Sequence, residues 1–410
     1  MADNKQNTNP NVPNSGNVPR LRFPEFFGEY EKYNLGELGS TLIGLTYSPA
    51  DVVSEGGTIV LRSSNIKNGV TNYDDIVRVN KKIKDSIITR TNDILVCARN
   101  GSPRLIGKNA ILKESDSNIT FGAFMMIYRS NDNTYIHQLL STKRFYSQVG
   151  ENLGARINQI TTSDFNSFEF YFPKSKEERI KIASLLALID KRIETQNKII
   201  EDLKKLKVAI CNRLLNNKTL LNKTAPLSNF GELKNGYAFK SSTYVPNGNY
   251  NIITIANVSG DREIVTDSCN TILSVPIDIQ SHQILKSGDI LISLTGNVGR
   301  VSLNKGNNNL LNQRVGLFVP NNSISAEFIY QSLSFVQFEN SMINLAQGAA
   351  QMNIGKGDIE SYQIRYSDNH QLINSISRIL LDYDIKIEIE NKYLQSLLSQ
   401  KAYLLSNMFI

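Results

Sequence analysis

The sequence predicts a mixed α/β (α+β) protein made of two tandem globular domains, each followed by a long helix, with the two helices pairing in a pseudo-twofold arrangement. Three observations lead there. The chain repeats itself: Gly154 to Leu215 aligns without a gap to Gly348 to Phe409, at a constant offset of 194 residues. Within that alignment Asp164 coincides with Asp358, Asp190 with Asp384, Ile193-Glu194 with Ile387-Glu388, Leu203 with Leu397 and Lys207 with Lys401. Weaker matches lie upstream, Asp93-Ile94-Leu95 with Asp289-Ile290-Leu291 and Arg104 with Arg300 at 196, and Leu35, Gly39, Gly44 and Asn65 with Leu227, Gly231, Gly236 and Asn257 at 192. Next, short apolar runs separated by Gly- and Asn-rich turns fill the beginning of each repeat. Finally, each repeat ends in a stretch with helical apolar periodicity. A tandem duplication builds a pseudo-twofold object, which suits a partner with its own twofold symmetry, and duplex DNA is the commonest such partner.

The elements follow in order. Residues 1–20 contain six Asn and three Pro and read as a disordered tail rather than a signal peptide. The first domain spans 21–173. Thr58–Leu61, Asp93–Ala98 and Phe168–Phe172 are β-branched and aromatic runs of strand length, and Ile136–Gln148 reads as helix. Arg99-Asn100-Gly101-Ser102-Pro103 is a turn signal between them. The second domain spans 223–367. Its predicted strands are Asn251–Ile255, Asp289–Leu294, Arg314–Val319 and Tyr362–Tyr366, its helix is Ala326–Leu345, and Gly296-Asn297-Val298-Gly299 is a turn.

The helical segments are 174–222 and 368–410. From Ser175 to Leu215 there is neither Pro nor Gly. Steps of three and four give Leu186, Ile189, Ile193, Gln196, Ile200, Leu203, Lys207, Ile210 and Leu214. That is a heptad seam with two polar breaks on a rod of roughly 60 Å. The second copy reads Leu380, Tyr383, Ile387, Glu390, Leu394, Leu397, Lys401, Leu404 and Met408, with the breaks at the equivalent places. A stripe so narrow wants one partner helix, and the other copy is the obvious one. Each stripe could instead cap its own domain, but recurrence of the polar positions argues for register fixing. On that view, leucine at both Lys207 and Lys401 should strengthen the pair and loosen its register.

Composition excludes several classes. A hydrophobic share of 40% and a charged share of 20% are those of an ordinary soluble protein, and a net charge of +7 is compatible with polyanion binding without requiring it. No apolar run approaches the roughly 18 residues of a membrane span. Cys97, Cys211 and Cys269 lie far apart and read as small buried hydrophobes, in keeping with a reducing cytoplasm. His137, His282 and His370 are isolated from one another and from the cysteines, so no metal spacing is present. Gly101 to Gly107-Lys108-Asn109 has one residue too many for a P-loop and lacks its Ser/Thr. There is no Pro-Pro, as the Asn/Asp-Pro-Pro-aromatic motif of an amino-methyltransferase would require. Asp164 and Asp358, just ahead of a strand, suit a turn or cap role. No catalytic residues are assigned.

The ordered set of motifs resembles the specificity (S) subunit of Type I restriction–modification enzymes, over nearly the whole chain from about Leu21 to Ile410. The residues that carry it are Leu35-Gly36-Glu37-Leu38-Gly39 and Leu227-Ser228-Asn229-Phe230-Gly231, then Asn92-Asp93-Ile94-Leu95-Val96 and Gly288-Asp289-Ile290-Leu291-Ile292. Gly154-Ala155-Arg156-Ile157-Asn158 and Gly348-Ala349-Ala350-Gln351-Met352-Asn353 follow, and Glu178-Arg179-Ile180-Lys181-Ile182-Ala183 leads into Leu188-Ile189-Asp190-Lys191-Arg192-Ile193-Glu194. The second copy departs at Asn369-His370-Gln371-Leu372-Ile373, which lacks the charged run Lys176–Arg179 and leaves the start of that helix open.

The resemblance implies two target-recognition domains, each reading half of a bipartite site in double-stranded DNA, and helices paired as an antiparallel coiled coil that fixes the gap between half-sites. It implies docking of two methyltransferase (modification) subunits and of motor–nuclease restriction subunits, in the cytoplasm and off the membrane. S-adenosylmethionine, ATP and Mg²⁺ would belong to those partners, with no cofactor or metal in this chain. Because arginine favours guanine and Asn/Gln favour adenine, the DNA-contact candidates are loop residues. In the first domain they are Arg62, Ser63, Asn65, Arg99, Asn100, Arg104, Arg156, Asn158 and Gln159; in the second, Asn257, Thr295, Asn297, Arg300, Gln313, Arg314, Gln347, Gln351 and Asn353. Arg104 and Arg300, as matching positions, would contact phosphate in both copies. A different class of reading, a non-enzymatic coiled-coil assembly scaffold with protein-binding globular ends, predicts little response to salt when DNA is offered, whereas DNA binding predicts a steep one.

Overall fold

The computed structural model describes residues 16–116, 119–153, 158–347 and 352–410. The chain divides into two compact units, Met1–Thr195 with Leu394–Ile410, and Gln196–Tyr393, so the division passes through both long helices.

In the first unit the strand Ile94–Cys97 is wholly buried because both of its faces are covered. Ile94 and Val96 point into a cluster with Tyr135, Ile136, Phe145, Phe165 and Phe168, while Leu95 and Cys97 point into another with Leu61, Phe121 and Ile127. The alternation is the two-residue period of a strand. It pairs antiparallel with Met125–Arg129 and with Asn109–Ile111, and Ser40–Ile43 completes a four-stranded sheet. A second four-stranded sheet contains Thr58–Leu61 parallel to Thr120–Phe121. Glu31–Asn34 pairs antiparallel with Glu169–Phe172.

The second unit repeats this plan. Ile290–Ser293 lies between Val315–Pro320 and Val301–Leu303, with Gly231–Asn235 on the far edge, in the same order. Ile290 and Ile292 face one cluster and Leu291 the other. The second sheet keeps the parallel pair, Tyr250–Ile253 with Asn309–Leu311, but differs at its edges. Lys223–Pro226 pairs with Gln363–Tyr366. The recurring Gly44 and Gly236 have a steric cause: a Cβ there would lie 2.3 Å from the carbonyl oxygen of Gly122 and 2.1 Å from that of Asn312.

Every strand expected from the sequence is present to within two residues at each end, but each domain helix is broken in two. The expected Ile136–Gln148 is Asn133–Leu139 followed by Lys143–Leu153, and the expected Ala326–Leu345 is Ala326–Leu333 followed by Val336–Ala346. At the second break Phe335 takes an extended conformation (φ −76°, ψ 137°) and is buried.

The long helices are Lys176–Leu215 and His370–Met408. Ser175 Oγ accepts from the Glu178 amide at 3.1 Å, and Asn369 Oδ1 accepts from the Leu372 amide at 3.1 Å. Asn369 therefore caps the second helix where the charged run is missing. Within each unit the two helices run antiparallel. In the first, Asp190 pairs with Lys401 at 2.6 Å, and Leu186 shares a cluster with Leu404 and Met408. In the second, Gln196 donates to Glu390 Oε2 at 2.5 Å and Lys207 pairs with Asp384 at 2.5 Å. The seam residues Leu186, Ile189, Ile193, Leu394, Leu397, Leu404 and Met408 of the first unit are buried or half-buried. So are Ile200, Leu203, Ile210, Leu214, Leu380 and Ile387 of the second.

The two lysine breaks are ion pairs, which reverses the expectation that leucine at Lys207 and Lys401 would strengthen the helices. Asp384 is 8% exposed and takes Lys207, Arg262 and Gln331, and Asp190 takes Lys401 and Gln138. Removing either lysine leaves a carboxylate short of a partner.

Candidate nucleic-acid interface

In the first unit, the ends of strands and helices bring four loops together. The turn Ser63–Asn65 follows the strand Thr58–Leu61; the loop from Arg99 follows Ile94–Cys97; Phe124 precedes Met125–Arg129; and Asn158 and Gln159 precede the short helix Thr162–Ser167. Arg99 and Gln159 form an antiparallel bridge. The Asn100 amide nitrogen donates to Asn158 O at 3.3 Å, and the Asn158 side chain donates to Gly101 O at 3.0 Å. Asn158 adopts φ 52°, the left-handed region that asparagine tolerates. Asn100 Nδ2 donates to Ser63 Oγ at 3.0 Å. Ser63, Arg99, Asn100, Asn158 and Gln159 thus form one cradle.

The second unit builds the same cradle from different side chains. Thr295 forms the antiparallel bridge with Asn353, and Gly296 N donates to Met352 O at 3.1 Å. Leu294 N donates to Arg314 O at 3.0 Å, as Ala98 N does to Phe124 O at 3.0 Å. Thr295 and Asn353 therefore stand where Arg99 and Gln159 stand, and Arg314 where Phe124 stands. Thr295 Oγ1 is buried with no hydrogen-bond partner among the described residues. Gln313 is exposed beside Arg314, its amide donating to Tyr237 O at 2.9 Å.

Several candidates fall elsewhere. Asn65 is 1% exposed; its Oδ1 accepts from Arg62 N, and its Nδ2 donates to the carbonyls of Asn72 and Asp75. Asn257 is 4% exposed; its Oδ1 accepts from Thr254, and its Nδ2 donates to Val265 O and Cys269 Sγ. Both amides are spent holding their own loops, so neither has an edge left for a base. Arg62 pairs with Asp75 at 2.7 Å.

Arg104 and Arg300 are not equivalent. Cys97 N takes Lys108 O as Ser293 N takes Arg300 O, so Lys108 is the counterpart of Arg300, and the loop before it is four residues longer in the first copy. Arg104 is exposed on the turn Pro103–Leu105, whereas Arg300 pairs with Glu339 at 3.3 Å. Asn297 and Gln347 are exposed, in the Gly296–Gly299 turn and just after Val336–Ala346. Arg156 and Gln351 lie outside the described residues.

Other side chains are accounted for structurally. Asp164 Oδ2 accepts from the Thr161 amide at 2.8 Å, and Asp358 Oδ2 from the Gly355 amide at 2.8 Å, so both are helix caps. Burial pushes the thiols of Cys97 and Cys211 up to about 11. Among the described residues no cluster of His, Cys, Asp and Glu could hold a metal, and no helix is long and apolar enough to cross a membrane. Sequence reasoning missed Phe124, which opens the apolar run Phe124-Met125-Met126-Ile127 and reads there as core, yet is 60% exposed.

The model of the Type I restriction modification DNA specificity domain matches twice, over residues 28–205 and 222–399. The specificity subunit of the Type I restriction enzyme MjaVIII from Methanocaldococcus jannaschii is 24% identical over 360 residues, 81% of this chain and 80% of the relative. Among solved structures, the S subunit of a Type I restriction–modification system from M. genitalium has a TM-score of 0.60 at 18% identity, covering 96% of this chain and 99% of that one. A chain from a structure on complex assembly and conformational transition of the type I R-M system has a TM-score of 0.52 at 13% identity, covering 92% and 97%.

Proposed function

The chain belongs to the Type I restriction–modification DNA specificity family, and from that premise we propose that it is the sequence-reading subunit of such a complex, without catalysis of its own. Each globular domain reads one half of a bipartite site in double-stranded DNA. The paired helices set the gap between the halves and dock two modification subunits, with restriction subunits added to that core. Methyl transfer uses S-adenosylmethionine on the modification subunits, and cleavage uses ATP and Mg²⁺ on the restriction subunits, in the cytoplasm.

The observation that carries this reading is the repeated cradle with exchanged side chains. A common backbone frame bearing Arg99, Gln159 and Phe124 in one copy, and Thr295, Asn353 and Arg314 in the other, is what two readers of unlike half-sites require. Phosphate contacts position a protein, while base-edge contacts specify, so divergence belongs at the side chains and constancy at the frame.

The test is methylation mapping. The chain is expressed with its modification subunit in a methylation-free host, and modified bases are located in the genomic DNA. We expect one motif, two unlike short halves around a fixed nonspecific gap. Absence of modification, while the same modification subunit works with another specificity subunit, would overturn the reading.

A further inference from the structure

An aromatic ring that is 60% exposed, directly ahead of four buried residues, is not placed by core packing. Phe124 is held through its backbone: its carbonyl oxygen accepts from the amides of both Ala98 and Arg99, each at 3.0 Å. The Arg99 guanidinium carbon lies 5.2 Å from the centre of the ring. Arg99 is braced in turn by its bridge to Gln159 and by Asn100, which donates to Ser63. The result is an exposed cation laid on an aromatic face at the mouth of the cradle.

This geometry suits one ligand chemistry. A guanidinium held over a ring by cation–π attraction spends no hydrogen bond on it, so its paired N–H donors stay available. Two such donors match O6 and N7 of guanine in the major groove, the commonest specific arginine contact. An unsupported arginine would have to give up side-chain rotamer freedom on binding; here the ring has already removed part of it.

Resting on the reading proposed above, we infer that Arg99 reads a guanine in the half-site of the first domain, and that Phe124 is the positioning residue that orients it. In the second unit Thr295 and Arg314 occupy these two places, so the pair is absent there and the other half-site is an internal control.

The experiment is methylation mapping of the co-expressed complex for wild type, Arg99→Ala, Phe124→Leu and Phe124→Tyr. The wild-type motif should contain a guanine in the half that Arg99→Ala alters. There the substitution should relax discrimination at one position by roughly 10- to 100-fold and leave the other half unchanged. Phe124→Leu keeps the apolar bulk but has no aromatic face, and should relax the same position about 2- to 5-fold, while Phe124→Tyr should restore it. A wild-type motif without guanine in that half, or Arg99→Ala with an unchanged motif, would overturn the assignment of Arg99. Leucine performing as well as tyrosine would overturn the role of the ring. Loss of any wild-type motif is a separate result, which overturns the DNA-reading function itself.

Discussion

His137 shows how little a residue type says before its surroundings are known. On the sequence it is one of three isolated histidines; in the structure it is 6% exposed on the helix Asn133–Leu139, and its Nε2 has no hydrogen-bond partner among the described residues. Burial lowers its pKa to about 4, Lys401 adds to the shift and Asp190 opposes it. Between that value and the ordinary 6.5, the unfolded chain holds a proton that the folded chain does not. Stability contributed by the neutral ring is therefore complete above pH 6.5 and drains as pH falls towards 4. At pH 5 the loss should reach about 2 kcal/mol. Urea unfolding at pH 7.5 and pH 5 should show wild type losing that much more than His137→Gln; equal losses in the two proteins would rule the mechanism out. The same point holds for Asn65 and Asn257. Their recurrence was legible and their position in a loop was legible, but whether the amide faced outward or closed its own turn depended on carbonyls seven to ten residues away in sequence.

At the scale of elements the sequence was most informative where periodicity was long. The heptad pattern located both helices, because a repeat sustained over many turns can be satisfied in one way. Shorter patterns were less decisive. A buried helix that breaks at Ser141-Thr142 or at Ser334-Phe335 looks continuous in composition, since residues on both sides of the break are apolar and tertiary packing decides where the axis turns. The partners of the seam lysines were hidden for a related reason: Asp190 and Asp384 sit one position off the counted seam. Lys401→Leu should lower stability by about 1–3 kcal/mol, because among the described residues Asp190 would keep only Gln138 as a side-chain partner. Adding Asp190→Asn, which removes the charge but keeps an acceptor for the buried Gln138 amide, should recover most of that loss, and denaturant midpoints of the single and double variants decide the matter. A single variant as stable as wild type would show that the pair contributes nothing.

Across the whole molecule, each globular part is completed by pieces of both long helices. The first unit draws on Leu394–Ile410: Met408 and Phe409 are 2% and 8% exposed, and the Phe409 ring lies 5.2 Å from that of Tyr135 in the principal core. Leu21 N donates to Asn407 O at 2.9 Å, and Arg22 pairs with Glu178 at 2.8 Å, so the entering chain is tied to both helices of its own unit. Phe409→Ala should cost about 3 kcal/mol in that unit. Deleting 394–410 should open it to protease while a fragment near Gln196–Tyr393 resists, which limited proteolysis with mass spectrometry would read directly. Undiminished resistance of the first unit would refute this dependence.

That dependence sets an order of events during synthesis. Domains generally fold as units while the chain emerges, and the second unit is one uninterrupted stretch whose parts are all available once Tyr393 has left the ribosome. The first unit, begun earlier, waits for Leu394–Ile410 to supply Met408 and Phe409. A ribosome paused once Tyr393 has cleared its exit tunnel, with Met408 and Phe409 still inside, would carry one finished unit and one still open, so the unit begun earlier is the later to be sealed.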